Sequence, residues 1–238
     1  MIPLLHDFTD ATVLIFGGGP VGARKARRFA REAEVIVVSP DFVDANEDGD
    51  ADADANTNTN TNTDADFGDA ARCRAAPAPD EIPDWLERTT PALVVAATDD
   101  EAVNDAIVTA ARERGVLVNR ADRAGEREPG SVVVPATVRE DPVVVSIATG
   151  GTAPALSKYL RQELEETLDG AGEMARLCGE LRAELKSQAV PPARRRELVT
   201  DVVNSPAVWT ALRAGDPNVR QVIEDVLGEE YLSRGEQR

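Results

Sequence analysis

The chain has little of what most often carries metals, disulfides or nucleic acid. It holds one histidine, His6, and two cysteines, Cys73 and Cys178, which lie far apart and form no C-x-x-C pattern. That excludes a disulfide framework and a thiolate metal site. A lone histidine ahead of the first strand is a poor metal ligand, so no metal site is expected. Both cysteines read as ordinary small side chains and His6 as packing or surface. Lysine is scarce: Lys25, Lys158 and Lys186 are the only lysines among 26 basic residues, against 43 acidic ones and a net charge of −17. A surface this acidic repels phosphate backbones and anionic lipid, so neither nucleic acid nor a membrane is an expected partner. The balance is that of a salt-adapted, halophilic protein whose activity and solubility need salt to screen its carboxylates. No window approaches the roughly 20 apolar residues of a membrane helix, and the first residues lack the basic flank and apolar run of a signal peptide. A cytoplasmic protein is expected.

What is present is an ordered alternation. With 238 residues and 42% hydrophobic side chains, the chain suits one domain with a smaller appendage. Thr12 to Phe16 reads as a strand, Gly17 to Gly22 as a tight loop, Ala23 to Ala33 as a helix and Glu34 to Ser39 as a second strand, together a parallel βαβ unit. Residues 44–69, rich in Asp, Asn and Thr with almost nothing to bury, read as a disordered insertion. Its carboxylates lack the spacing of a calcium loop. Then follow a weak strand at Arg72 to Ala75, a short helix at Glu81 to Arg88, a strand at Ala92 to Ala97, a helix at Glu101 to Arg114 and a strand at Val116 to Asn119. This is the α/β, Rossmann-like doubly wound pattern.

Beyond residue 119 the pattern changes. Ser131 to Pro135 and Val143 to Thr149 have no room for a helix between them and are expected to pair antiparallel. Helices are expected at Pro154 to Leu168, Gly172 to Ser187, Ala193 to Val203, Pro206 to Arg213 and Pro217 to Leu227. The expected organisation is therefore a nucleotide-binding domain over 1–119, a small β-pair segment over 120–168 and a helical region over 169–238.

Gly17, Gly19 and Gly22 fit G-x-G-x-x-G between a strand and a helix, the setting of a dinucleotide fingerprint. Gly17 permits the turn, Gly19 lets a pyrophosphate approach and Gly22 lets the helix pack closely. The alternative is a purely structural glycine turn. The acid expected at the end of the second strand is replaced by Ser39, whose hydroxyl can still bond a ribose. Asp41 nearby, with no arginine between Arg31 and Arg72, favours NAD over NADP. Thr98 lies where the next strand reaches the carboxyl edge of the sheet, either at a ligand or as a helix cap shared with Asp99 and Asp100. Asn119, Arg120 and Asp122 end the last parallel strand, and Asp122 is a candidate base or a turn cap. Thr149, Gly150 and Gly151 form a turn that opens a helix, with or without a ligand. Both groups would face one crevice in a doubly wound sheet. Arg120, Arg123, Arg127, Lys158 and Arg161 suggest an anionic small molecule, a solvated face being the alternative.

The segments PLLHDFTDATVLIFGGGPVGARKARRF, EVIVVSP, LVVAATDDEAVNDAI, LVNRAD and VVVPATVREDPVVVSIATGGTAPALSKYLRQELEETL resemble the precorrin-2 dehydrogenase and sirohydrochlorin ferrochelatase family. The same module begins the siroheme synthases. The match rests on G-G-G-x-V-x-x-R-K and T-G-G-x-x-P, and beyond residue 170 the likeness is only in being helical. The resemblance implies oxidation of precorrin-2 to sirohydrochlorin with NAD, insertion of ferrous iron to give siroheme, and an intertwined homodimer. It implies Asp122 as the catalytic base, nucleotide contacts from Gly19, Pro20, Val21, Pro40, Asp41 and Thr98, and a retained hydroxyl at Thr149. The arginines would meet the substrate's carboxylates. The competing expectation is a regulatory Rossmann protein that senses NAD without turnover.

Overall fold

The computed structural model describes residues 2–43, 67–121 and 129–228. They divide into two compact units, Met1–Val134 and Pro135–Arg238.

The first unit is built on five parallel strands: β1 (Thr12–Phe16), β2 (Glu34–Ser39), β3 (Ala71–Arg74), β4 (Leu93–Ala96) and β5 (Leu117–Arg120), in the order β3-β2-β1-β4-β5. The central strands β1 and β4 and the middle of β2 read as apolar runs because both faces of the sheet are covered there, whereas the edge strand β3 is polar and largely exposed. Leu14 and Phe16 of β1 enter one core with Ile82, Leu86 and Ile107, while Val13 and Ile15 enter another with Ala23, Ala26 and Val35. Helix α1 (Pro20–Phe29) covers the second core, and α2 (Ile82–Thr89) and α3 (Glu101–Glu113) cover the first.

Two expectations are corrected here. Helix α1 starts at Pro20, inside the glycine motif, because a proline at the first helical position has its φ already set and no N–H to satisfy. Gly22 is thus helical. The expected insertion also ends too late, since Phe67 is 3% exposed and packs edge-on against Phe42 with centroids 5.5 Å apart. An aromatic ring in the core outweighs the polar composition around it. Residues 44–66 of that insertion lie outside the described residues.

In the second unit, β6 (Ala136–Glu140) pairs antiparallel with β7 (Val143–Ile147), followed by α4 (Pro154–Thr167), α5 (Ala171–Ser187), α6 (Pro192–Val203), α7 (Pro206–Arg213) and α8 (Val219–Leu227). The β pair is as expected in kind, but its first strand is not Ser131 to Pro135. Residues 131–134 of that stretch belong to the first unit: Val132 donates its N–H to the Val118 carbonyl, and Asn119 Nδ2 donates to the Val132 carbonyl at 2.7 Å. Helices α5 to α8 close over Met174, Leu181, Leu185, Val202, Val208 and Ile223. Helix α4 buries none of its residues and leaves Leu156 and Tyr159 exposed.

Candidate functional site

The carboxyl ends of β1, β2 and β4 bring three turns together. At the first, Gly17 has φ +119°, a conformation that L side chains rarely adopt. A Cβ there would lie 2.2 Å from the Ala97 carbonyl oxygen, so the glycine loop passes directly against the turn after β4. A Cβ on Gly22 would lie 1.9 Å from the Gly17 oxygen, which makes this glycine necessary for the loop itself. Gly19 differs, since a Cβ there would meet no protein atom within 4 Å. The loop is closed wherever it packs on protein and open at Gly19.

Gly19 is also the N-cap of α1, with Pro20 at the first helical position and Val21 following. No side chain caps this helix, its first turn carries no acid, and Arg27 and Arg28 stand in its last turn. The positive end of the dipole and the first N–H groups are left for an anion. Within α1, burial, and then Arg28 and Arg24, push the Lys25 amine down to about 8.

The turn after β2 closes the other side. A Cβ on Gly18 would lie 2.3 Å from the Asp41 carbonyl and 2.8 Å from Ser39 Oγ, and Val43 donates its N–H to the Gly18 carbonyl. Ser39, Pro40 and Asp41 therefore lie against the glycine loop. Gly18 is a close-packed position that the G-x-G-x-x-G template passes over, although the triple glycine run was there to be read. Arg74, at the end of β3, stands opposite Ser39 in the strand register and places Nη1 3.4 Å from Asp41 Oδ1. This neighbour was invisible from the sequence, being 33 residues away.

Thr98 turns its hydroxyl away from the loop. Its Oγ1 donates to Asn104 Oδ1 at 2.8 Å, and Asn104 Nδ2 returns a bond to the Thr98 carbonyl at 2.9 Å. Asp100 is the cap of α3, accepting from the Ala102 and Val103 amides. Thr98 thus meets the glycine loop with its backbone: its N lies 3.1 Å from where a Gly17 Cβ would be.

At the end of β5, Asn119 is buried and its Oδ1 has no hydrogen-bond partner among the described residues. Arg120 is held on the other face by an ion pair with Asp105 of α3. Asp122, Arg123 and Arg127 lie outside the described residues. In the second unit, Gly150 and Gly151 have φ of +69° and +82°, a turn suited to glycine. Thr149 Oγ1 lies 2.9 Å from Ser157 Oγ, which ties the turn to α4. On α4 Lys158 is exposed, and Arg161 is paired with Glu165 at 2.6 Å. The described residues thus bring together Gly17, Gly18, Gly19, Pro20, Val21, Gly22, Ser39, Pro40, Asp41 and the Thr98 backbone in the first unit. Thr149, Gly150 and Gly151 form a separate group in the second. His6 packs against Phe8 with ring centroids 4.4 Å apart, and no group of three or more potential metal ligands occurs among the described residues. No helix among them is long and apolar enough to cross a membrane.

This geometry fits the nucleotide half of a dehydrogenase, and comparison with known proteins agrees. Residues 4–136 match a family model described as putative NAD(P)-binding. The chain is 31% identical over 215 residues to a precorrin-2 dehydrogenase of Methanosarcina barkeri, covering 87% of this chain and 85% of that one. It is 30% identical to a siroheme synthase of Pseudomonas fluorescens across 99% of its own length, but spans only 46% of that larger protein. A solved structure of SirC, precorrin-2 dehydrogenase, shares the fold, with a TM-score of 0.64, 20% identity and coverage of 95% of this chain and 98% of that one.

Proposed function

The chain belongs to the precorrin-2 dehydrogenase family, and we propose that it oxidises precorrin-2 to sirohydrochlorin with NAD in siroheme biosynthesis. The observation that carries this reading is the glycine cradle at the carboxyl end of β1, closed at Gly17, Gly18 and Gly22 and open at Gly19 above an uncapped helix. Such a cradle fits a pyrophosphate. Its residues would hold the dinucleotide as follows: Gly19, Pro20 and Val21 at the phosphates, Ser39, Pro40 and Asp41 at the adenosine ribose, and the Thr98 backbone along the loop. NAD, when bound, supplies the acceptor for a hydride.

The chain's own part is to orient the substrate and take its proton. Loss of a hydride and a proton from the macrocycle needs a base, and Asp122 is that base. Thr149, Gly150 and Gly151 contact the substrate through a hydroxyl and one backbone turn. Its carboxylates meet Arg120 and the arginines that follow it in sequence, Arg123 and Arg127. Ferrous iron is a second substrate: its insertion displaces pyrrole protons, which the same carboxylate accepts, so no resident metal is required. The 1–119 stretch holds the cofactor, 120–168 the substrate and a second copy of the chain, and 169–238 a helical support. The homodimer reading rests on α4, with none of its residues buried and Leu156 49% and Tyr159 56% exposed. The protein works in the cytoplasm.

Asp122→Asn tests the assignment of the base. NADH formation from precorrin-2 should fall by about a hundredfold or more, the scale of general base catalysis, while calorimetric titration finds NAD affinity changed by less than about threefold. Turnover equal to the unaltered protein would remove Asp122 from the mechanism.

A further inference from the structure

The edge of the candidate cofactor site carries a basic group that the mechanism above does not use. Strand β3 pairs with β2 so that Arg74 stands beside Ser39, the residue at the end of the second strand where a dinucleotide fold meets the adenosine ribose. Arg74 Nη1 reaches Asp41 Oδ1 at 3.4 Å. Its guanidinium carbon lies 5.9 Å from the centroid of the Phe42 ring, and that of Arg72 lies at the same distance from that ring. Phe67 lies 5.8 Å from Arg72 and packs edge-on against Phe42, so the rings form a firm base beneath both arginines. Of the two arginines, Arg74 is the one that reaches the Asp41 carboxylate.

The pair is weakly committed. The Arg74 side chain is 71% exposed and that of Asp41 92%, and an ion pair so open to water gains almost nothing from its attraction. A phosphate at the ribose 2′ position offers Arg74 a stronger contact, since the planar fork of a guanidinium binds phosphate through two charge-assisted hydrogen bonds. Resting on the dinucleotide reading above, we propose that Arg74 is a specificity-determining residue that lets this site accept NADP as well as NAD. Asp41 is the opposing element, holding Arg74 in the free protein and repelling the 2′-phosphate. The absence of arginine between Arg31 and Arg72 does not keep NADP out, because the strand pairing delivers an arginine from just beyond that interval.

The test is calorimetric titration of the full chain with NAD and with NADP at one fixed salt concentration, before and after Arg74→Ala and Asp41→Asn. The unaltered protein should bind both. Arg74→Ala should weaken NADP about tenfold more than NAD, the factor that one charge-assisted phosphate contact carries. Asp41→Asn should tighten NADP relative to NAD, and it keeps the proposal open to refutation should the arginine variant fold poorly. NAD binding without NADP binding, or a ratio untouched by both substitutions, would overturn this assignment and leave the dinucleotide reading intact. Binding of neither nucleotide would overturn both.

Discussion

Gly19 and Gly22 sit three residues apart and are required for opposite reasons. Alanine at Gly22 would drive a Cβ to 1.9 Å from the Gly17 oxygen, whereas alanine at Gly19, whose φ is −77°, meets only open space. Gly19→Ala should therefore keep its Tm within about 2 °C of the unaltered protein, since the conformation suits alanine, yet bind NAD about tenfold or more weakly if phosphate approaches there. Gly22→Ala should lose both stability and binding. Melting curves and titrations separate the cases, and undiminished NAD binding by Gly19→Ala would show that no phosphate uses the cradle. Lys25 gives a pH signature. Burial, with Arg28 and Arg24, lowers its amine from 10.5 to about 8, so between those values the unfolded chain holds the proton and the folded one releases it. Stability attributable to this residue is reduced below about pH 8 and recovers as pH rises towards 10.5. Lys25→Met should raise the Tm at pH 7 by several degrees, with the gain shrinking to nothing by pH 10.5. A gain that stays constant with pH would show the charge to be irrelevant.

Elements were legible where local rules and burial agree. Strands β1 and β2 stand at the residues their apolar runs mark, because a parallel sheet covered on both faces leaves no polar positions to interrupt them. Helix α7 follows Ser205, which caps it through its side chain, and starts at Pro206 as read. The miss at Ser131 to Pro135 is instructive, as its valines make a stronger strand signal than Ala136 to Glu140. Their place is decided by Asn119 and Val118, residues remote in sequence, and no local pattern carries that information. Arg74 beside Asp41 escaped for the same reason, and Phe67 because its neighbours are acidic and small. The nucleotide half of the candidate site was thus readable as a motif, while its basic edge was not. Helix α4 supplies the prediction at this scale. Leu156→Glu with Tyr159→Glu should convert a dimer to a monomer in light scattering without loss of helicity, since neither side chain is buried within the chain. A monomeric unaltered protein, or a dimer indifferent to these changes, would contradict the assignment of this face.

At the scale of the whole molecule, a charge of −17 sets the conditions under which the chemistry must be sought. Self-repulsion among so many carboxylates falls as salt shortens the Debye length to roughly 3 Å at 1 M, so the Tm should climb with salt concentration and activity should follow it. A Tm indifferent to salt would contradict salt adaptation. The glycine cradle lies in one compact unit and the Thr149 to Gly151 turn in the other. Nucleotide binding alone would suit a sensor equally well, so turnover decides. The most direct measurement is an anaerobic, high-salt incubation of the purified chain with precorrin-2 and NAD, following NADH and sirohydrochlorin together. The account predicts that both appear in equal amounts and at rates proportional to protein, with ferrous iron then consumed faster than in a protein-free blank. NAD bound with neither product formed would contradict it and leave a nucleotide sensor in place of an enzyme.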